Sequence, residues 1–394
     1  MKILHVVSHL PPDKIGGVGQ GLWRLHRHML QAGHESTVIT AGTTHGDPTV
    51  HRIAKSPAGF VFALRKEARR AREYDVVHCR HGDALPLLLA MKIHRVRTPV
   101  LATLHVSHRD MGEAYRPYKL DGRVFGRGWA SWKYRNIIAR IHRFSDYLVR
   151  CVADETSFIS RDGAIANLGL KKGSTAPVVY NAVPDRSVTR VDVLPPPTEL
   201  LYVGTFSHRK RVLALPLILR HVRASVPSAR LRLIGGVLDD HPELRSLFNA
   251  LGLKDSVVCQ GRLPSDDIGP FYLASKVLVV PSACEGLPTV ILEAYRHGLP
   301  CVASRVSGHP EVVADGSSGF LVDRDDPSQM ARRCVQILTD PDLQARMGAA
   351  ARAIVDERFT LERQMSEYLK LYRKLCDRRH RTSCPSAMLA GANH

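Results

Sequence analysis

Short apolar runs with the length of buried strands alternate with stretches of helical periodicity through most of the chain, and one proline-rich break divides the alternation in two. The first run, Lys2-Ile3-Leu4-His5-Val6-Val7, leads through a loop at 11–17 into a helix with Val18, Leu22, Leu25 and Met29 at helical spacing, stopped by Gly33. Further strands are predicted at 36–40, 75–79, 100–105, 147–152 and 178–181, with helical stretches between them, one ending at Ala71. Residues 185–198, with Pro195, Pro196 and Pro197 and little periodicity, read as a linker. The alternation restarts with strands at 200–203, 230–234, 257–260, 277–281, 301–306 and 319–322, and only helical patterns follow, at 342–356 and 360–376. Such alternation implies a mostly parallel sheet covered on both faces. The expected fold is therefore α/β: two Rossmann-like, doubly wound domains at 1–184 and 199–357, a helix within 358–376 packing back on the first, and a disordered tail at 377–394. The 394 residues fit two domains at about 100–200 residues each. Open sheets of this kind bind ligands at the carboxyl ends of their strands, so the cleft between the two is where function is expected.

The 56 Lys and Arg residues outnumber the 37 Asp and Glu, for a net charge of +19, which calls for an anionic partner: nucleic acid, an anionic membrane surface or a phosphorylated substrate. Aromatics make up only 6% of the chain and no zinc finger, basic zipper or RNP-like run is present, so nucleic acid is not an expected partner. No apolar run approaches the roughly 18–20 residues of a membrane span, and Met1-Lys2-Ile3-Leu4-His5 enters a strand with no signal-peptide design. Eight cysteines without a Cys-x-x-Cys pair fit a reducing compartment. The expectation is a cytoplasmic protein, at most peripheral on the inner membrane face. Between 109 and 143, nine basic residues interleave with Tyr115, Tyr118, Phe125, Trp129, Trp132 and Tyr134, a mixture suited to anionic lipid or to an anionic acceptor.

The most informative segment is 279–294. A strand ends at Pro281, a loop holds Glu285 and Gly286, and a helix is predicted to begin near Pro288, with Glu293 one turn inside it. A helix N-terminus attracts phosphate, and carboxylates beside it can accept hydrogen bonds from sugar hydroxyls; a hydrolase with two catalytic carboxylates is the competing reading. Gly16-Gly17-Val18-Gly19 opens a helix but is neither a dinucleotide fingerprint nor a P-loop. His105 ends a first-domain strand. His78 and His81 invite a metal, but three positions along a strand place them on opposite faces. Asp323-Arg324-Asp325 mimics a metal-binding Asp-x-Asp, but Asp326-Pro327 continues into a helix start, so it reads as a capping segment and no metal is expected.

The pattern Pro-Ser-x-x-Glu285-Gly-Leu-Pro-x-x-x-Leu-Glu293-Ala, followed by Gly298-x-Pro300-Cys-Val-Ala-Ser and Ser307-Gly308-x-Pro310-Glu311-Val-Val, resembles the retaining glycosyltransferases of family 4, which have the GT-B fold. The resemblance covers most of the second domain, with ordered, weaker matches in the first. It implies that Glu285 contacts hydroxyls of a donor sugar and Glu293 holds the ribose of its nucleotide, with Gly286, Leu287, Pro288 and Thr289 around them. Gly204-Thr205-Phe206-Ser207-His208-Arg209-Lys210 resembles the basic segment that clamps the donor diphosphate; Lys210 matches, whereas Thr205 stands at the arginine position, leaving Arg209 or Arg211 to supply the charge. Gly16 and Gly17 resemble the loop bordering the donor phosphates and the acceptor, and His105 resembles a histidine at the donor sugar or acceptor. Tyr180-Asn181-Ala182-Val183-Pro184 resembles the interdomain hinge, and Arg262 and Leu263 end a strand where a nucleobase would lie.

The resemblance implies a metal-independent hexosyltransferase that needs no cofactor and in which His105, Glu285 and Lys210 form the catalytic centre. It would move a hexose or N-acetylhexosamine with retention from a nucleotide-sugar, UDP-linked first and GDP-mannose next, to a hydroxyl of a glycan or lipid-linked glycan. Glycosylation of a small soluble aminocyclitol or natural product, a nucleotide-sugar epimerase, and a glycan-binding relic are the alternatives.

Overall fold

The computed structural model describes residues 1–10, 17–41, 44, 46–54, 57–80, 84–126, 128–185 and 199–383. Most of the expected linker, the end of the tail, Gly16, His81 and Arg127 lie outside the described residues.

Eight strands belong to the first half: β1 (Lys2–Val6), β2 (Glu35–Thr40), β3 (Val50–Arg52), β4 (Val76–Arg80), β5 (Val100–Leu104), β6 (Tyr118–Leu120), β7 (Arg123–Phe125) and β8 (Glu155–Phe158). Six of them form one parallel sheet in the order β3-β2-β1-β4-β5-β8, while β6 and β7 pair as an antiparallel hairpin. The second half holds β9 (Glu199–Val203), β10 (Arg230–Ile234), β11 (Val257–Cys259), β12 (Val277–Val280), β13 (Cys301–Ser304) and β14 (Gly319–Val322), again parallel, in the order β11-β10-β9-β12-β13-β14. The two sheets thus share one topology, and in each the strand order reverses beside the first strand, where Rossmann-like sheets open a ligand crevice. Strands β4, β5, β12, β13 and β14 are buried along their whole length, as expected where helices cover both faces.

Two sequence expectations fail. Residues 147–152, read as a strand, form the end of the helix Ala139–Val152; a short apolar run does not by itself distinguish a strand from a buried helix turn. Residues 178–181 make only an isolated bridge from Val178 to Phe158, and the edge strand is β8, whose sequence Glu-Thr-Ser-Phe hides it from a search for apolar runs.

The last helix, Leu361–Ser383, runs seven residues beyond 376 and so occupies the start of the segment expected to be disordered. It lies on the first domain, where Tyr368, Leu369, Tyr372 and Leu375 pack with Ile3, Leu25, Val76, Leu101 and Val179. Val183 bridges Thr360, so the two passages of the chain between domains run side by side. The β6–β7 hairpin reaches the other way: Tyr118, Leu120 and Phe125 join the core of the second domain with Tyr202, Phe206 and Val212.

Candidate functional site

The chain leaves β12, runs through 281–288 and enters the helix Thr289–Arg296, with Pro288 as the N-cap, one residue outside the start the sequence suggested. Glu285 lies in this loop, 8% exposed. Its Oε2 accepts from Arg209 Nη1 at 2.8 Å and its Oε1 meets Lys210 Nζ at 2.5 Å. Burial by itself pushes the Glu285 carboxyl up, but Arg209 and Lys210 together outweigh it and hold the group well below the usual carboxylate range. Burial lowers the Lys210 ammonium, with Glu285 opposing. His309 is buried in the same place, its Nδ1 donating to the Ser304 carbonyl at 2.7 Å, and burial brings it down to about 4. The two arginines that the sequence offered for this charge, Arg209 and Arg211, are placed differently. Arg209 faces Glu285, whereas Arg211 is buried in the hairpin clamp, bonded to Asp325 and the Ala114 carbonyl at 2.8 Å each and lying over the Tyr118 ring.

Glu293 is also engaged, from both domains. Its Oε1 accepts from Arg24 Nη2 at 2.9 Å and its Oε2 from the Tyr272 hydroxyl at 3.1 Å, and Arg24 donates as well to Ser265 Oγ at 3.0 Å. Arg24 sits on the helix Gly17–Gln31 of the first domain, so this ion pair crosses the cleft. The cavity left around Arg24, Ser265, Tyr272 and Glu293 has about 50 Å³.

From the first domain, β5 delivers His105, 5% exposed, to the loop of Glu285. The backbones meet closely: a Cβ on Gly286 would lie 1.8 Å from the His105 carbonyl oxygen, and one on Gly308 would lie 1.9 Å from the Gly286 carbonyl oxygen, so neither position admits a side chain without a shift. Gly17 opens its helix opposite Thr289, whose Oγ1 would be 3.4 Å from a Cβ there. Leu287 is buried in the second-domain core beneath the loop.

Other expected residues sit differently. Thr205 is exposed, its carbonyl accepting from the Tyr202 hydroxyl, and so brings no charge to the carboxylate. Arg262 is exposed after β11, while Leu263 packs against the second-domain core. Asp326 caps the helix Pro327–Thr339, and Asp325 is taken by Arg211. His78 uses both ring nitrogens on Tyr372 and Thr103. Four aromatic residues of 109–143 turn inward: Tyr115 stacks on Tyr134 and on His208, and Tyr118 and Phe125 are buried in the other domain as part of an interdomain clasp, whereas Trp132 stays 43% exposed. Sequence reading missed Arg24, Tyr272 and the role of Glu311, which accepts from the N–H groups of Arg161 and Asp162 and from the Tyr180 hydroxyl, pinning a first-domain helix end to the second domain. A single Arg in a helix carries no local signal of a partner 269 residues away.

Cations at Arg209 and Lys210, a helix N-terminus at Thr289 and carboxylates at Glu285 and Glu293 therefore all lie on the side of the second domain that meets the first. Such a set suits a ligand anionic at one end and rich in hydroxyls at the other.

Comparison with known proteins agrees with this architecture. A profile described as Glycosyl transferases group 1 matches residues 191–354, and one described as Glycosyltransferase Family 4 matches residues 15–156. D-inositol 3-phosphate glycosyltransferase of Xylanimonas cellulosilytica is 27% identical over 92% of this chain and 93% of its own length. N-acetyl-alpha-D-glucosaminyl L-malate synthase of Bacillus anthracis is 29% identical over 52% of this chain, a match that spans only 55% of that relative. The structure of Anabaena Alr3699/HepE in complex with UDP-glucose superposes with a TM-score of 0.75, covering 95% of this chain and all of that one at 20% identity, which speaks to the fold. With both domains matched in order and the two sheets arranged as described, the chain belongs to the glycosyltransferases of family 4 and has the GT-B fold.

Proposed function

We propose that the protein is a retaining, metal-independent glycosyltransferase that moves a hexose or N-acetylhexosamine from a nucleotide-sugar, UDP-linked first, to a hydroxyl of a glycan or lipid-linked glycan. The observation that carries this reading is the buried Glu285 held between Arg209 and Lys210, opposite His105. In the reaction, the donor diphosphate takes over the two cations and the N-terminus of the helix at Thr289, which frees Glu285 to accept hydrogen bonds from sugar hydroxyls. The bond from C1 to the diphosphate breaks as the acceptor oxygen bonds to C1 on the same face. The acceptor proton passes to the departing phosphate oxygen, and nucleoside diphosphate leaves. His105 lines the acceptor side, and closure of the two domains excludes water. The UDP-glucose complex of the Anabaena protein, which shares this fold, supports a UDP-sugar donor. A second reading, a small polar acceptor, is favoured by the names of the relatives, which point to inositol 3-phosphate and to malate.

The test is a thermal-shift screen of UDP, UDP-glucose, UDP-N-acetylglucosamine and GDP-mannose with and without EDTA, followed by determination of the product anomer. Stabilisation by UDP is expected to survive EDTA and to disappear in Glu293→Ala with the fold intact; unchanged nucleotide affinity in that variant removes the ribose role. Arg24 now fills the space at Glu293, and about 50 Å³ is far less than the roughly 300 Å³ or more of a ligand pocket. Arg24→Ala is accordingly expected to bind UDP severalfold more tightly and turn over more slowly, because the ribose no longer competes for the carboxylate while the cross-cleft tie is lost. Weaker UDP binding in calorimetry would reverse that assignment.

A further inference from the structure

Of the eleven large apolar side chains that stand exposed among the described residues, ten lie between Phe62 and Leu170, and only Val237 belongs to the second domain. Six of the ten share one surface. The helices Pro57–Glu67, Leu85–Ile93 and Ala139–Val152 pack side by side over one face of the first sheet and bury Phe60, Leu64, Leu87, Leu88, Met91 and Val149 in its core. Their outer sides carry Phe62, Leu89, Ile93, Ile141, Phe144 and Tyr147, exposed by 46% to 77%. A helix that covers a core needs one apolar stripe, so a second stripe facing outward has no part in folding.

The charge on this face has one sign. Arg65, Lys66, Lys92, Arg140 and Arg143 are exposed on the same helices. Among the described residues, the carboxylates of these helices are Glu67, ion-paired with Arg70 at 3.0 Å, and Asp146, buried against His108. A cavity of about 1010 Å³ opens at its edge, lined by Ser107, Arg109, Arg140, Arg143, Phe144 and Arg150 among others. Ser107 follows His105 by two residues, so this cavity lies beside the strand end that faces the second domain.

We propose that this face docks the first domain on a bilayer rich in anionic lipid, with the apolar side chains entering the headgroup region and the arginines holding lipid phosphates. A soluble polyanion would use the arginines alone; the six outward apolar residues select a bilayer. No helix of the described residues is long and apolar enough to cross a membrane, so the contact is with the surface. The docking face shares Arg140, Ile141 and Arg143 with the end of the segment that the sequence suggested, but not its aromatic residues Tyr115, Tyr118, Phe125 and Tyr134, which are spent on the interdomain clasp. For its purpose the proposal rests on the transferase reading, which it narrows to an acceptor presented at a membrane.

Sedimentation with vesicles tests it, using the full chain without nucleotide. Vesicles of phosphatidylcholine with 30% phosphatidylglycerol should bind the protein at least about tenfold more tightly than phosphatidylcholine alone, and high salt should weaken the binding. Ile141→Ser/Phe144→Ser, which keeps every charge, should lose about tenfold, and Ile93→Ser, on a different helix, should weaken binding in the same direction. Arg140→Gln/Arg143→Gln should remove most of the salt-sensitive part. Absence of wild-type binding to the anionic vesicles, wild-type affinity in both serine variants, or binding only to a soluble polyanion such as heparin would overturn the proposal. Thermal shifts with UDP on the same proteins report separately on the fold and on the transferase reading, so the two can fail independently.

Discussion

Glu285→Gln should reduce sugar transfer by about 10²–10³-fold or more, the usual cost of removing one well-placed polar contact to the reacting group, and should alter nucleotide binding in a way that separates its two duties. Without nucleotide, the carboxylate neutralises Arg209 and Lys210, whose side chains are 23% and 15% exposed. Removing one partner from a largely buried ion cluster costs about 3–5 kcal/mol, because the remaining charges have lost their counter-ion. A diphosphate would restore that counter-ion. UDP should therefore stabilise Glu285→Gln more than it stabilises the wild type, although the variant starts from a lower melting temperature. The added stabilisation that a UDP-sugar gives over UDP should vanish, because the sugar hydroxyls have lost their acceptor. A variant that keeps the sugar increment would show that Glu285 is structural, and one in which UDP stabilises less would place the diphosphate away from Arg209 and Lys210.

The second sheet was almost wholly readable because every one of its strands is a short apolar run between loops, and the loop of Glu285 and Glu293 carries its spacing in one continuous stretch of sequence. The first sheet was less so. Its edge strands β3 and β8 are short and rich in His, Arg, Glu, Thr and Ser, as edges that need little burial can be, and the apolar end of the helix Ala139–Val152 mimics a strand. What sequence could not show is what crosses the cleft. Arg24 on Glu293, Glu311 on the N–H groups of Arg161 and Asp162, and the hairpin of Tyr118 and Phe125 in the opposite core all join residues far apart in the chain. Basic and aromatic residues interleaved along a segment have the same composition whether they face a lipid or a second domain; only burial separates the two.

Lowering the pH from 6.5 towards 4 should unfold the protein, before most carboxylates are protonated. His5, His26, His78 and His309 are wholly buried, and burial is the leading cause that lowers each of them: His26 and His309 to about 4, His5 and His78 well below the ordinary range. They are built in as neutral rings, His26 bonded to Ser36 and Thr49 and His78 to Tyr372 and Thr103. The unfolded chain takes up these protons near pH 6.5 while the folded chain refuses them, so the stability they allow is complete above 6.5 and falls away as pH drops towards 4. Each such proton contributes about 1.4 kcal/mol per pH unit, and four together about 5 kcal/mol per unit near pH 5, against a total stability of roughly 5–15 kcal/mol for a folded domain. Glu285 acts in the same direction but later: its carboxyl is held low, so its contribution is present above about 4.5 and is lost only below that. Denaturant titrations should give little slope above pH 7 and a slope of three or more protons near pH 5, and a stability that stays flat down to pH 4.5 would show that these rings are not neutral and buried in solution. His78 lies against Tyr368 and Tyr372 of the last helix, and His5 lies against His78. Protonating them puts positive charge next to Arg80, itself 1% exposed, so the helix Leu361–Ser383 should be the first element to gain hydrogen exchange as the pH falls.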